Sequence, residues 1–183
     1  MNNAVMFGKA TDEWRTPVET FNALNAEFGF DVDAAATAKN SWVDGDYFGP
    51  DHYYQSQRDA LTVEWLPHGK TFWLNPPYSK CRAFIAKAAQ QARNGCTVVC
   101  LVPSRTDTRW WAESVMPFAS EIRFVKGRLK FSGAGKSENS APFPSAVIVF
   151  RPPLHGAQLL VSTFARGKDG VWRTFPASSS AGE

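Results

Sequence analysis

Asn75-Pro76-Pro77-Tyr78 is the stretch of this chain whose residue types and spacing best suit chemistry. It follows Thr71-Phe72-Trp73-Leu74, an apolar run that reads as a buried strand stopped by the prolines. An amide, a proline-locked backbone and an aromatic ring thus meet at a strand end, where ligands of α/β sheets bind. The exocyclic amine of adenine is a poor nucleophile because its lone pair is delocalised into the ring. The Asn75 side-chain oxygen and the Pro76 carbonyl are two acceptors for its two hydrogens, which would draw the nitrogen towards a tetrahedral form. Prolines fix the dihedrals that aim that carbonyl, so little rearrangement is needed during reaction. Tyr78 supplies a face for the base to stack on, and a methyl sulfonium in line with the lone pair completes a direct displacement. Neither a metal nor a strong base is required. A base in a duplex must first leave the stack.

The remaining sequence must position those residues. Thr16-Pro17-Val18-Glu19 predicts a helix start, with Thr16 as cap, Pro17 at the first helical position and Glu19 closing a capping box. Val18, Phe21, Leu24 and Phe28 continue it as one apolar stripe, and Gly29 ends it. Phe30-Asp31-Val32-Asp33 reads as a short strand whose tip carries a carboxylate, followed by the small residues Ala34-Ala35-Ala36. Residues 38–58 have no clean period and are expected as loop with a short helix. Asp59-Ala60-Leu61 is expected as another strand tip. A helix fits residues 80–94 through Phe84, Ile85, Ala88, Ala89 and Ala92, and Cys96 to Val102 reads as a central parallel strand. Asp107 is expected to cap a short helix with Trp110, Trp111 and Val115, stopped by Pro117. Strands follow at 122–125 and 146–150, with a hairpin over 158–164 and 171–175.

Alternating strands and helices predict an α/β fold, a Rossmann-like mostly parallel sheet with helices on both faces. Length and composition fit one domain over 14–175, with a flexible lead-in at 1–13, a polar insert at 126–145 and a disordered tail at 176–183. The odd, clustered Cys81, Cys96 and Cys100 suit core packing better than disulfides or a metal. No membrane span or signal peptide is read, so a cytoplasmic protein is expected. Charge is divided along the chain. Residues 1–74 hold 5 Lys and Arg against 11 Asp and Glu, and residues 75–183 hold 15 against 6. Such asymmetry suits a polyanion on the second part and a cationic ligand on the first. Arg105, Arg109, Arg123, Lys126, Arg128, Lys130 and Lys136, interleaved with Trp110, Trp111 and Phe131, read as a phosphate-contacting surface with stacking wedges.

Asn75-Pro76-Pro77-Tyr78 resembles the catalytic motif of amino methyltransferases that use S-adenosyl-L-methionine. The wider pattern resembles the phage-type DNA N6-adenine methyltransferases (Dam-like) over roughly residues 12–151. It comprises Asp12 to Pro17, Asp33-Ala34-Ala35-Ala36, Asp59-Ala60-Leu61, Asn75 to Ser79, Pro103 to Asp107, Gly127 to Phe131 and Ala141 to Ser145. The resemblance implies that Thr16 and Pro17, with Trp14 beside them, hold the cofactor's amino-acid end. Asp33, Ala34 and Ala35 would line the methionine pocket. Asp59, next to Ala60, would accept from the cofactor's adenine amine, and Asp44 or Asp46 would take the ribose hydroxyls. Alanines stand after Asp33 where many methyltransferases carry glycines. Double-stranded DNA is the implied substrate, contacted by Arg105, Arg109, Trp110, Lys126, Arg128, Lys130 and Phe131, with Phe131 as a second face for the flipped base. A monomer in a bacterial or phage-infected cell is expected. The competing readings are an N4-cytosine methyltransferase, a protein glutamine methyltransferase, and a catalytically silent DNA-binding module of the same fold. Such cytosine enzymes usually carry Ser where Asn75 stands.

Overall fold

The computed structural model describes residues 15–49, 59–131, 141–153 and 158–176. Helix α1 (Val18–Phe28) is followed by β1 (Val32–Asp33), β2 (Asp46–Tyr47) and β3 (Thr71–Leu74). A single 3-10 turn at Tyr78–Lys80 leads into α2 (Cys81–Arg93) and β4 (Thr97–Pro103). A wide helical turn at Trp111–Val115 runs into α3 (Met116–Phe118), then β5 (Glu121–Val125), β6 (Ser145–Phe150), β7 (Leu160–Arg166) and β8 (Trp172–Pro176).

These strands form one eight-stranded sheet in the order β2-β1-β3-β4-β6-β5-β7-β8. Parallel pairing joins β2, β1, β3 and β4, with Leu74 beside Cys100 in register. Beyond β4 the sheet is mixed. Strand β6 runs antiparallel to β4 and to β5, β5 is parallel to β7, and β7 and β8 form an antiparallel hairpin. The largely parallel sheet expected from the sequence therefore holds for the half that carries the candidate site.

Alternation along the strands sends side chains to two apolar layers. Phe72, Leu74, Val98, Cys100 and Ile148 face Phe84, Ile85, Ala88 and Ala89 of α2. Trp73, Val99, Leu101, Val147 and Val149 face Phe21 and Leu24 of α1. Helices thus cover both faces, and Cys81, Cys96 and Cys100 are buried free thiols within the structure.

Four local expectations need correction. Helix α1 begins at Val18 with Pro17 as its cap residue, and no side chain caps it. The Thr16 hydroxyl is turned instead to Asn75, whose Nδ2 donates to it at 3.2 Å. Residues 46–47 form a strand rather than lying in a loop or helix, because the Asp46 N–H donates to the Asp31 carbonyl and the Phe48 N–H to that of Asp33. Asp59 opens a turn, not a strand: its Oδ1 accepts from the Leu61 N–H at 3.0 Å and its carbonyl from Thr62 and Val63. Pro117 lies inside α3, one residue before its end, since the first turn of a helix tolerates a missing N–H. The lead-in at 1–13, residues 132–140 of the insert and residues 177–183 of the tail lie outside the described residues.

Candidate active site

From β1 the chain moves outward to β2, then returns past β1 to lay β3 on its other side. That reversal opens a crevice at the carboxyl ends of the parallel strands, the usual ligand position in such sheets. A cavity of about 510 Å³ lies there, lined by the segments after β1, β2 and β3 together with Arg15 and Thr16. This volume is in the range of small-molecule sites.

Asp33 forms one wall and is only 3% exposed. Burial pushes its carboxyl up to about 7, against hydrogen bonds from the main-chain N–H groups of Ala35 and Trp42. A buried carboxylate of this kind gains most from a cation placed beside it. The following small residues keep the backbone close to the crevice. Ala34 N–H donates to the Trp73 carbonyl at 2.8 Å and Ala36 N–H to that of Phe48 at 3.1 Å. A side chain at Gly49, which also lines the cavity, would overlap the Ala36 carbonyl.

Asn75 leaves the end of β3 into the same cavity. Its Nδ2 donates to the Thr16 hydroxyl at 3.2 Å, with Oδ1 on the other side of the amide. Thr16 is held in turn: its carbonyl accepts from Trp42 Nε1 at 2.9 Å, and the Arg15 guanidinium lies 3.7 Å from the centre of the Trp42 ring. Pro77 precedes the 3-10 turn with φ −53° and ψ 122°, and its carbonyl accepts from the Lys80 N–H at 2.8 Å. Tyr78 stands edge-on to Phe143 at 5.2 Å and to Phe131 at 6.4 Å between ring centres. Its hydroxyl is buried without a hydrogen bond, and desolvation holds its pKa far above the ordinary value, so it remains a neutral phenol.

The far end of the cavity is formed by the Asp59 turn. Trp65 Nε1 donates to the Ala60 carbonyl at 2.8 Å, and the Trp65 N–H donates to Gln91 Oε1 of α2 at 2.9 Å. Gln91 also donates to Glu64, which pairs with Lys87 at 3.6 Å. A buried amide on α2 thereby holds this turn in place.

Of the residues expected to hold a cofactor, Thr16, Asp33, Ala34, Ala35, Asp59, Ala60 and Asn75 line this one cavity. Pro17 does not; it lines a second cavity. Neither Asp44 nor Asp46, the residues expected to take the ribose, lines this cavity, and Asp46 Oδ1 accepts from the Tyr47 N–H at the sheet edge. Trp14 lies outside the described residues. Arg15, Trp42, Phe48 and Gly49 are lining residues that the sequence reading missed. The signal for Arg15 was its place beside Thr16-Pro17, whereas Trp42 sits in an aperiodic loop that gives none.

The basic residues divide. Lys126, Arg128 and Lys130 line the second cavity, of about 620 Å³, which shares Arg15, Thr16 and Trp42 with the first. Arg105 and Arg109 follow β4 at the same carboxyl end of the sheet as Asn75, and Arg109 pairs with Glu113 at 3.6 Å. Trp110 is no stacking wedge, since it is buried in the core beneath α2. Trp111 is buried there as well. Arg123 is not a surface cation either. It is 2% exposed and makes paired bonds to Glu27, both 2.6 Å, and to Glu121 at 2.8 and 3.0 Å. Phe131 is buried beside Tyr78, and Lys136 lies outside the described residues.

Comparison with known proteins gives consistent results. The family model for DNA N-6-adenine-methyltransferase (Dam) matches residues 5–170. A DNA N-6-adenine-methyltransferase of Escherichia phage T1 is 32% identical over 119 residues, 64% of this chain and 46% of that protein. One from Haemophilus phage HP1 is 26% identical over 146 residues, 77% of this chain and 79% of that protein. The chain therefore spans about half the length of the T1 relative. Among solved structures, the methyltransferase subunit of a type I restriction-modification system from Streptococcus thermophilus superposes with a TM-score of 0.52. It is 12% identical, and the match covers 91% of this chain and 51% of that one, which is a likeness of fold.

Proposed function

The chain belongs to the DNA N-6-adenine-methyltransferase (Dam) family, and from this we propose that it transfers a methyl group to N6 of adenine in double-stranded DNA. The observation that carries the reading is the meeting of Asn75 and Asp33 in one cavity at the carboxyl ends of β1 and β3. The methyl donor proposed is S-adenosyl-L-methionine. The cavity suits it in volume, in the close backbone at Ala34 to Ala36, and in a carboxylate whose pKa is raised by burial. Asp33 would hold the donor's ammonium group, Thr16 its amino-acid end, and the Asp59 turn its adenine. When bound, the donor supplies a methyl group on a sulfonium, an electrophile that needs no metal.

The target base enters extruded from its duplex, because pairing and stacking otherwise bury its amine. Asn75 Oδ1 and the Pro76 carbonyl accept its two N–H bonds, so that the nitrogen lone pair is freed from the ring. With Nδ2 donating to Thr16, the Asn75 amide presents Oδ1 on its other side. Tyr78 serves as an apolar stacking surface, for which a neutral phenol is the suitable state. The proton released from nitrogen passes to water. The setting would be the cytoplasm of a bacterial or phage-infected cell, with the protein acting as a monomer.

Incubation with methyl-labelled donor and duplex DNA tests this directly. Label in the DNA fraction is expected. Label confined to protein, or no transfer to DNA that the protein demonstrably binds, overturns it.

A further inference from the structure

The second cavity opens between the amino end of α1, the turn at 126–130 and the tip of the β7–β8 hairpin. Its walls carry five cations, Arg15, Lys126, Arg128, Lys130 and Arg166, against one carboxylate, Glu19. Among the described residues, none of Lys126, Arg128, Lys130 or Arg166 is in an ion pair. Thr20, on the first turn of α1, also lines the cavity. It is fully buried, and its hydroxyl makes no hydrogen bond. Buried Arg15 Nε likewise has no acceptor. Unspent donors, a helix amino terminus and concentrated positive charge all call for an anion at one place.

The hairpin is built to contribute to this wall. Lys126 N–H donates to the Phe164 carbonyl of β7 at 2.9 Å, which pins the basic turn to the hairpin. Trp172 stacks on Phe164 at 5.1 Å and lines the groove. Arg166 Nε donates to the Gly170 carbonyl at 2.9 Å, so the side chain is braced while the rest of the guanidinium remains for a ligand. Lys168, on the same tip, does not line the groove.

We propose that this groove holds the phosphate backbone of the DNA duplex, and that the β7–β8 hairpin, through Arg166, is one of its contact elements. The inference rests on the DNA reading above and adds to it the contact surface and the direction of approach. Arg15, Thr16 and Trp42 belong to both cavities, so a backbone seated here lies one residue, Thr16, away from Asn75. A nucleotide leaving the duplex next to that backbone would enter at the motif.

The test is duplex binding by fluorescence anisotropy across salt concentrations, for the full chain and for Arg166→Gln, Arg128→Gln and Lys168→Gln. Each phosphate contact contributes about 0.9 to the slope of log affinity against log salt. Arg166→Gln and Arg128→Gln are each expected to lower that slope by about one contact and to weaken binding several-fold on any duplex sequence. Lys168→Gln should stay close to the parent, and all three should keep the parent's affinity for S-adenosyl-L-methionine. If the parent binds duplex DNA while Arg166→Gln and Arg128→Gln keep its slope and affinity, the groove proposal fails alone. If the parent binds no duplex DNA, the functional reading fails with it.

Discussion

Asn75 is oriented by a residue 59 positions earlier in the chain, and this orientation is what its proposed role requires. Truncation to Ala removes one of two acceptors for the amine in the transition state. By analogy with loss of one preorganised hydrogen-bond partner, turnover should fall by roughly 10²–10³-fold. Affinity for the methyl donor, measured by titration, should stay within a few-fold. A large loss of donor affinity with normal turnover would reverse the assignment. Asp33 makes a separable prediction. Its folded pKa of about 7 lies above the ordinary 3.8, so between these values the folded state holds the extra proton. Stability from this group is therefore greatest below about pH 4, falls as pH rises to 7 and is flat beyond, a loss on the order of 4 kcal/mol. Asp33→Asn should melt higher than the parent at pH 8 and alike near pH 4, while binding the donor more weakly. In the parent, donor affinity should decline below pH 7, and in the variant it should not. Equal melting at pH 8 would show that Asp33 is not desolvated as described.

Among the elements, α1 is tied to the sheet by charge as well as by Phe21 and Leu24. Arg123 of β5 reaches Glu27 of α1 across 96 residues of chain, and Glu121 is buried beside it. Removing one member of a buried pair costs about 3–5 kcal/mol. Arg123→Ala should lose stability of that order in urea unfolding, with duplex affinity at the parent's level; reduced DNA affinity without lost stability would return Arg123 to the phosphate surface. The sequence treats Arg123 like its neighbours Lys126 and Arg128, because its partner is remote. The same limit explains the start of α1. Thr16-Pro17-Val18-Glu19 follows local capping rules, but a tertiary bond to Asn75 takes the hydroxyl. Periodic segments were legible: the α2 face from Phe84 to Ala92, the strand ending at Pro103 and the final hairpin all stand where alternation and helical spacing put them. The alternation of Phe30 to Asp33 pointed to β1, whereas β2, two residues long, is too short to show a period.

At the scale of the molecule, the division of charge along the chain becomes a division of space. The cavity assigned to a cationic donor draws its acids, Asp33 and Asp59, from the acidic first part. The second groove draws Lys126, Arg128, Lys130 and Arg166 from the basic second part. The junction was not legible, because Arg15, Thr16 and Trp42 come from the acidic part and belong to both cavities. The amide at Asn75 is bonded to Thr16 of that junction, and adenine as its target follows from the proposed function. The most direct measurement digests duplex DNA after reaction with methyl-labelled donor and identifies the labelled nucleoside. N6-methyladenine is the expected product, lost in Asn75→Ala; label in N4-methylcytosine would contradict the assignment.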